Sequence, residues 1–561
     1  MTADFLDRLI RPDLRGLAAY SSARNEAGAM AASIALDANE SPWPPFGAPQ
    51  AKEDQYNRYP DPQPLKLVTK LATLYGMEPD QLFVGRGSDE AIDVLIRLLC
   101  RAGQDSILIC PPTFGVYQVY ARIQGAETIK VPLKSDDGQL DIPGILAACE
   151  DTTKLIFIPA PSAPMGHALE RKDILSLCEA RTEKSLIVID EAYVEFSPDP
   201  DGLSKELSRY HNLVILRTMS KAYALAGERI GCALGQPELI AFMRKIVAPY
   251  PLTQSGIRAA LDALSPNGLF LSLERRKLIA AERERMAEAL TQCPQVVKVF
   301  PSVANFLLVQ TTDSKAFMAK LARFGIRIRN RSADVPDAVR ITIGAPEEND
   351  ALLKALDIDT RRNSAKATPR LFSVKRNTNE TKIDVTINLD NPETLSISTG
   401  IGFYDHMLAQ IANHGGFGLV LRCKGDLETD PHHTIEDCAL ALGEALKGAL
   451  GDKRGIGRYG FSTPLDEALA SATIDLSGRP YAIFEGTLPV ANVGDMPTEM
   501  VPHVFRSLAT TLGAAIHVSV KGKNAHHMIE ACFKSVGRAL RQAIRYEEGN
   551  ANAIPSTKGV L

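Results

Sequence analysis

The pattern of apolar and polar positions changes partway along the chain. Between about residues 34 and 356, short β-branched apolar runs alternate with longer amphipathic segments. Apolar runs without two-residue alternation are typical of strands in a parallel sheet that is covered on both faces. The pattern therefore predicts an α/β fold with a large, mostly parallel open sheet. The expected strands are SILIC (106–110), KLIFIP (154–159), SLIVID (185–190) and NLVILRT (212–218), and the expected helices are 91–103 and 273–290.

The last third of the chain shows a different pattern, in which a strand-then-helix unit occurs twice. TKIDVTINLD (381–390) alternates apolar and polar residues, which indicates a half-buried strand. HHTIEDCALALGEALKGAL (432–450) recurs as HHMIEACFKSVGRALRQAI (526–544), 94 positions later. Apolar residues three and four apart in both copies predict two helices, each with one buried face. We expect an α+β region with an internal duplication.

A polar segment separates the two patterns. DIDTRRNSAKATPR (357–370) has no hydrophobic period and ends close to a proline. We therefore predict a domain at 1–360, a linker at 361–370 and a domain at 371–561. The alternative is a long surface loop inside one domain.

Composition narrows the classes of function. The chain has 561 residues, a net charge of −4 and interspersed acidic and basic residues, which favours neither a nucleic-acid nor a membrane surface. No apolar run approaches the ~20 residues of a membrane span, and the N-terminus is too charged for a secretory signal. The nine cysteines form no CxxC pair and favour a reducing compartment. These features predict a cytoplasmic protein.

The first candidate site follows the predicted strands 185–190 and 212–218. Asp190 and Lys221 lie at or just beyond strand C-termini, where open α/β sheets bind ligands. A lysine that forms a Schiff base and an aspartate that keeps a pyridine nitrogen protonated are what pyridoxal phosphate requires. Tyr193 can bond the phenolic oxygen of the ring, and Arg229 can reach the phosphate with Thr218 and Ser220. GRGSDEAIDVLI (85–96) adds a helix start that suits a phosphate.

These motifs stand within a longer resemblance. Residues 1 to about 360 resemble histidinol-phosphate aminotransferase, a fold-type I pyridoxal-phosphate enzyme, in LDANESP, GRGSDEAID, PPTFGVY, VIDEAYVEF, RTMSKAYALAGERIG and VRITIGAPEEND. The resemblance implies a small domain beside the large sheet, Lys221 as the catalytic lysine and a dimer in which Tyr59 reaches the neighbouring cofactor phosphate. It also implies Ser88 and Asp89 near the phosphate, Phe114 or Tyr117 stacked on the pyridine, and substrate contacts from Arg340, Arg329 and Tyr20.

One position departs from the family pattern. The family carries N-P-N-N-P-T-G where this chain has APSAPMG (160–166), so Ala163 replaces the asparagine that would bond the phenolic oxygen of the cofactor. This departure supports an alternative in which the N-terminal half is a degenerate structural partner. A second alternative is an aminotransferase for another, aromatic substrate.

The second candidate site belongs to the repeated helices. In each copy two adjacent histidines precede a glutamate by three and four positions, so the carboxylate lies beside both imidazoles on adjacent turns. Adjacent histidines diverge on a helix and can therefore address two different ions. Imidazoles and carboxylates without thiolate suit Mn²⁺, Fe²⁺ or Zn²⁺, and the spacing does not choose between them.

Residues 371–561 resemble imidazoleglycerol-phosphate dehydratase throughout, in STGIGFYDHMLAQIANHGG, DPHHTIEDCALALGEAL, PLDEAL and NAHHMIEACFKSVGRALRQA. The resemblance implies two Mn²⁺ ions per site, which act as Lewis acids and as an orienting template. The implied metal ligands are His406, His432, His433, Glu436, His503, His526, His527 and Glu530. The implied acid/base residues are Glu380 and Glu467, and the implied phosphate-binding residues are Arg458, Arg479, Lys534, Ser556 and Lys558.

Together the two resemblances imply a fusion that performs two consecutive steps of histidine biosynthesis. Imidazoleglycerol phosphate would be dehydrated to imidazoleacetol phosphate, which glutamate would then transaminate to histidinol phosphate. The dehydratase family implies a cage of 24 subunits with metal sites at the subunit contacts.

Overall fold

The computed structural model describes residues 3–17, 38–43, 45, 56–358, 370–460, 463–546 and 555. The chain divides into two compact units. The first unit comprises Met1–Leu264 and Arg275–Lys366, and the second comprises Ser265–Glu274 and Ala367–Leu561. The predicted linker, apart from Arg370, lies outside the described residues.

The first unit is built on a seven-stranded sheet with the order β1-β7-β6-β5-β4-β2-β3, counted over the described part of the chain. Only β7 runs against its neighbours, so the expected mostly parallel sheet is confirmed. All four predicted strands are present to within one residue at either end. The strands are β1 (Leu82–Arg86), β2 (Ser106–Ile109), β3 (Glu127–Lys130), β4 (Thr153–Pro159), β5 (Leu186–Asp190), β6 (Leu213–Thr218) and β7 (Ile230–Leu234).

Amphipathic helices pack on this sheet and bury its β-branched side chains. Phe83, Ile92 and Val188 are fully buried between the sheet and the helix α3. The described helices are α1 (Ala3–Leu9), α2 (Leu65–Tyr75), α3 (Ser88–Leu99), α4 (Val116–Gln124), α5 (Ile142–Ala148), α6 (Arg171–Ala180), α7 (Pro237–Ile246) and α8 (Gln254–Ala263). Helix α3 begins three residues before the predicted start, because the left-handed Gly87 (φ 79°) turns the chain directly into it.

A smaller sheet completes the first unit. Its order is β10-β11-β9-β8, all antiparallel, and its core includes Leu307, Phe317 and Leu353. The expected small domain is therefore present. Its strands and helices are β8 (Val296–Val299), β9 (Phe306–Thr311), α10 (Ser314–Ala322), β10 (Arg329–Asn330), β11 (Ala338–Thr342) and α11 (Pro346–Ala355). The long helix α9 (Pro266–Leu290) contributes residues to both units.

The second unit contains the predicted duplication. Its first half pairs a hairpin with two more strands in the order β12-β13-β15-β14, and α13 packs on β13. Strand β14 runs parallel to β15. The elements are β12 (Leu371–Asn377), β13 (Thr381–Asn388), β14 (Leu395–Ser398), α12 (Gly402–Gly415), β15 (Gly418–Gly425) and α13 (His432–Leu450).

The second half repeats this order of elements, with β18 and β22 in place of β13 and β15. Strand β19 runs parallel to β22, as β14 does to β15. Helix α14 packs on α13, and α15 on α12, around a core that includes Leu442, Phe505 and Phe533. The elements are β16 (Tyr459–Gly460), β17 (Thr463–Leu465), β18 (Ala468–Asp475), β19 (Tyr481–Glu485), β20 (Asn492–Val493), β21 (Met496–Pro497), α14 (Met500–Leu512), β22 (Ala515–Lys521) and α15 (Ala525–Ile544).

Over the ranges that the structure describes, no helix combines the length and the apolar character that crossing a bilayer would need.

Candidate active sites

A cavity of about 220 Å³ opens at the C-terminal ends of β5 and β6 in the first unit. It brings together residues that lie up to about 250 positions apart in the sequence. Of the residues predicted for the first site, it is lined by Ser88, Asp89, Phe114, Asp190, Tyr193, Thr218, Ser220, Lys221, Arg229 and Arg340. The open-sheet topology explains this convergence, because parallel strands end at one edge.

Lys221 lies in the loop that joins β6 to β7, beside the ring of Tyr193 at 5.7 Å from its centroid. Burial lowers the pKa of its ammonium group, and the nearby charges of Arg340 and Arg229 lower this pKa further. A larger share of the side chain is therefore the neutral amine, which is the nucleophilic form.

Asp190 ends β5 and is 5% exposed. Burial raises the pKa of its carboxyl group to about 6, and the hydrogen bonds from Tyr117 and from the amide of Ala192 oppose that rise. The Tyr117 hydroxyl donates to Oδ2 at 2.7 Å, and the Ala192 amide donates to Oδ1 at 3.2 Å. The carboxylate is thus held by donors and faces the cavity.

The two aromatic side chains proposed to stack on a pyridine occupy different places. Phe114 lines the cavity. Tyr117 does not, because its fully buried ring stacks on Phe157 at 4.8 Å and its hydroxyl binds Asp190 from behind. Of the two rings, Phe114 is therefore the one that a ligand in the cavity could contact directly.

One end of the cavity suits a phosphate. Helix α3 begins there, and a Cβ on Gly231 would come within 2.2 Å of the Ser88 amide, so only glycine allows this close approach. Arg229 lies 3.0 Å from Asp89 and 3.4 Å from the Ser220 hydroxyl. A helix N-terminus, a guanidinium and a hydroxyl group are the kinds of donor that bind phosphate groups in proteins.

Two arginines also line the cavity, and one of them was not predicted. Arg340 lies over the Phe306 ring at 5.2 Å, and Arg331 lines the cavity beside it. Arg329 pairs with Arg340 across β10 and β11 but is exposed and is absent from the residues that line the cavity. Arg331 follows directly after β10 (Arg329–Asn330), and no spacing in the sequence distinguished it from Arg329.

Ala163, the departure from the family pattern, also lines the cavity. It is 6% exposed and packs with Tyr193, Ala304 and Phe306. Tyr59 lies elsewhere, where it is 51% exposed and stacks on Tyr250 at 4.5 Å. Tyr20 lies outside the described residues.

The second unit contains two half-sites related by the duplication. In the first, the ligand atoms of His432, Glu436 and His503 lie within 4.8 Å of one another. Nε2 of His503 is 3.2 Å from Glu436 Oε1, and this buried nitrogen has no hydrogen-bond partner among the described residues. A buried nitrogen that converges with a carboxylate and a second imidazole fits a divalent cation.

The second half-site contains the repeat counterparts His526, Glu530 and His406. Nε2 of His526 lies 3.6 Å from Glu530 Oε2, and Nε2 of His406 lies 3.8 Å from Glu530 Oε1. Lys534 occupies this half-site as well, with Nζ 2.8 Å from the same Oε1. The lysine predicted to bind phosphate therefore neutralises a predicted metal ligand in this structure.

The remaining two histidines, which we call the outer histidines, are His433 and His527. Each ring is turned nearly perpendicular to the preceding histidine, with centroids 6.2 Å and 6.0 Å apart. Nδ1 of His433 lies 3.0 Å from Asp426, and Nδ1 of His527 lies 2.9 Å from Glu467. The sequence prediction missed Asp426, for which a carboxylate directly after β15 was the only signal.

The predicted phosphate residues are dispersed. Arg458 forms an ion pair with Asp475 at 2.7 Å, and Arg479 is exposed. Within the described ranges, neither forms a hydrogen bond or an ion pair with a histidine of the half-sites. Ser556 and Lys558 lie outside the described residues.

Comparisons with known proteins assign a family to each unit. The family model for aminotransferase class I and II matches residues 28–356, and that for imidazoleglycerol-phosphate dehydratase matches residues 399–540. Histidinol-phosphate aminotransferase of Stenotrophomonas maltophilia is 44% identical over 363 residues, which are 64% of this chain and 98% of the relative. The protein of the same name from Xanthomonas euvesicatoria is 45% identical over 362 residues, again 64% of this chain and 98% of the relative.

A solved structure agrees with these relatives. The crystal structure of histidinol-phosphate aminotransferase from Sinorhizobium meliloti in complex with pyridoxal-5'-phosphate is 27% identical and has a TM-score of 0.50. The match covers 57% of this chain and 88% of that one. The chain therefore belongs to the class I and II aminotransferases, in the histidinol-phosphate aminotransferase family, and carries an imidazoleglycerol-phosphate dehydratase domain C-terminal to it.

Proposed function

We propose that this protein is a bifunctional enzyme for two consecutive steps of histidine biosynthesis. The second unit dehydrates imidazoleglycerol phosphate to imidazoleacetol phosphate, and the first unit transaminates that product with glutamate to histidinol phosphate. One observation carries the proposal: a single chain holds a lysine–aspartate cavity and, separately, two half-sites of histidines and glutamate. The matches to the two families support the same pair of reactions.

We assign each of these cavity residues a separate role in transamination. Pyridoxal phosphate, when bound, supplies an electron sink for the carbon that loses its proton. Lys221 would hold the cofactor through its amine and, as the free amine, would move the proton at the substrate Cα. Asp190 would keep the pyridine nitrogen protonated, and Arg229 with Ser220 and the start of α3 would bind the phosphate.

We assign substrate recognition to the two further arginines that line the cavity. Both substrates carry an anionic group at a distance from the reacting carbon, a phosphate in the acceptor and a carboxylate in glutamate. Arg340 and Arg331 line the cavity where such a group would lie. We place Arg329, Tyr20 and the neighbouring subunit's Tyr59 as further contacts, on the basis of the family resemblance alone.

Dehydration relies on the half-sites. Mn²⁺, when bound, supplies Lewis acidity and orientation for the imidazole ring. His432, Glu436 and His503 would hold one ion, and His526, Glu530 and His406 the other. Each half-site offers three ligand side chains. We infer that an outer histidine of another subunit completes the coordination of each ion. The dehydratase units would therefore act as a large homo-oligomer, with Arg458, Arg479, Lys534, Ser556 and Lys558 on the phosphate and Glu380 moving protons.

We further propose the domain boundaries 1–360 and 371–561, with a linker between them, and a cytoplasmic location. Seven of the nine cysteines are buried and all are free thiols, which suits a reducing compartment.

The test is a coupled assay with the full chain loaded with pyridoxal phosphate and Mn²⁺. Imidazoleglycerol phosphate and glutamate should yield histidinol phosphate, detected by mass spectrometry. Omission of glutamate should stop the reaction at imidazoleacetol phosphate. Faster transamination of phenylpyruvate than of imidazoleacetol phosphate would instead indicate an aromatic aminotransferase, and loss of only the second step would indicate a degenerate N-terminal unit.

A further inference from the structure

Two glutamates occupy equivalent positions in the duplicated halves of the second unit. Glu380 precedes β13 (Thr381–Asn388) and Glu467 precedes β18 (Ala468–Asp475), and both strands are eight residues long with the same order of neighbours. Each glutamate lies at the turn of a hairpin and reaches the outer histidine of its own half. Common position would suggest a common role.

The contacts of the two glutamates differ, however. Glu467 Oε2 lies 2.9 Å from Nδ1 of His527, and its Oε1 accepts a hydrogen bond from the Asn524 amide at 3.2 Å. Glu380 instead lies 3.9 Å from Nε2 of His433, the other ring nitrogen, and its side chain is more exposed. Glu467 thus contacts Nδ1 of its histidine, which we call the back of the ring, whereas Glu380 lies near Nε2 of its histidine, which we call the front.

A third carboxylate explains the difference. Asp426 directly follows β15 and lies 3.0 Å from Nδ1 of His433, the position that Glu467 takes at His527. The register that pairs Thr381 with Gly425 and Leu469 with Lys521, when continued along each hairpin, sets Asp426 opposite Glu380 and Lys523 opposite Glu467. The residue equivalent to Asp426 is therefore Lys523, which has no carboxylate. Asp426 thus occupies the back of His433, and Glu380 is displaced from it.

A histidine that binds a metal through Nε2 is oriented by a carboxylate on Nδ1, which fixes the tautomer and the ring direction. We infer that Glu467 and Asp426 are positioning residues that aim Nε2 of His527 and His433 at the ions, and that Asp426 frees Glu380 to act on the substrate. This inference rests on the proposed dehydratase function. It removes Glu467 from the acid/base role that the family resemblance implied.

The experiment measures Mn²⁺ affinity and dehydratase turnover separately on the metal-stripped full chain. Glu467→Gln and Asp426→Asn should each weaken Mn²⁺ binding about 10–100-fold, and saturating Mn²⁺ should restore most of the turnover of Glu467→Gln. Glu380→Gln should bind Mn²⁺ as the wild type does, yet lose about 10²–10⁴-fold in kcat. Lys523→Gln is the matched control, because it alters the equivalent exposed position and should change neither quantity.

Two results would overturn the inference. If Glu467→Gln binds Mn²⁺ normally but stays inactive at saturating Mn²⁺, Glu467 acts on the substrate. If Glu380→Gln weakens Mn²⁺ binding as much as Glu467→Gln does, both glutamates serve the same role in holding the metal site. Size-exclusion chromatography checks that each variant assembles, and the Glu467/Glu380 pair decides the question even if Asp426→Asn fails to fold. A wild-type protein that neither binds Mn²⁺ nor dehydrates imidazoleglycerol phosphate would refute the proposed function itself.

Discussion

The hydroxyl of Tyr117 donates a 2.7 Å hydrogen bond to Oδ2 of Asp190 from behind the cofactor cavity. The carboxylate is buried at the end of β5, and burial raises its pKa to about 6. The tyrosine hydrogen bond opposes that rise in pKa, so Tyr117 helps to keep the Asp190 carboxylate ionised, as our proposed role for Asp190 opposite the pyridine nitrogen requires.

Replacing Tyr117 with phenylalanine should weaken pyridoxal-phosphate binding about tenfold. The ring packing on Phe157 is preserved, but a hydrogen bond to a charged group, which contributes roughly 1.5–3 kcal/mol, is lost. About 1.4 kcal/mol corresponds to a tenfold change in affinity. A spectral titration of the cofactor-free protein measures the change, with Tyr120→Phe on the same helix as control. Equal affinities in Tyr117→Phe and the wild type would show that the hydrogen bond does not matter.

Cofactor affinity should fall as the pH drops below about 6. The carboxyl group of Asp190 has its pKa raised to about 6, so it takes up a proton in that range and no longer attracts the pyridinium. Bound cofactor favours the ionised form of Asp190 and so lowers its pKa. The fall in affinity should therefore begin near the pKa of the cofactor-free protein and continue towards lower pH. Cofactor titrations between about pH 5 and 8 test this, and Asp190→Asn should bind weakly with no such inflection. An inflection that persists in Asp190→Asn would assign it to another group.

The two activities should be separable by single changes. Lys221→Ala should abolish transamination and leave dehydration intact, because Lys221 lines the cavity of the first unit. Removal of metal ions with a chelator should abolish dehydration and leave transamination intact, and added Mn²⁺ should restore dehydration. Glu436→Gln, which alters a residue of the first half-site, should lower metal content without changing transamination. Loss of both activities in a folded Lys221→Ala protein would contradict two independent sites.

Ala163→Asn should tighten cofactor binding by up to about tenfold. Ala163 lines the cavity with Tyr193, so an amide placed there can add a second donor to the phenolic oxygen of the cofactor. A charge-assisted hydrogen bond of roughly 1.5–3 kcal/mol gives that magnitude. The added donor also reduces the charge on the phenolate, so the pKa of the protonated imine should fall. A spectral pH titration measures it, and Ala163→Leu, similar in size but without a donor, is the control. Unchanged values in a folded Ala163→Asn protein would mean that residue 163 does not face the ring oxygen.

Local pattern determined most of the fold. The apolar runs at 154–159 and 185–190 became β4 and β5, because short β-branched segments without alternation favour strands that are buried on both faces. The sequence similarity between the helices that begin at His432 and Ala525 predicted the duplication, because two helices with the same apolar face must both bury that face. The sequence alone also placed Lys221, Asp190 and Arg229 near strand ends.

Roles that depend on which side of a ring or strand a group occupies were decided only by the tertiary structure. Sequence spacing could not tell Phe114 from Tyr117, because the burial of Tyr117 against Phe157 depends on strands far away in the chain. It could not tell Arg331 from Arg329 at the cavity, nor Glu380 from Glu467 at the outer histidines. Residue type and period fix the chemistry that a side chain can offer, but its partner is set by packing between segments distant in the sequence. Asp426 shows this most clearly, because a single carboxylate behind His433 gives two equivalent glutamates different surroundings.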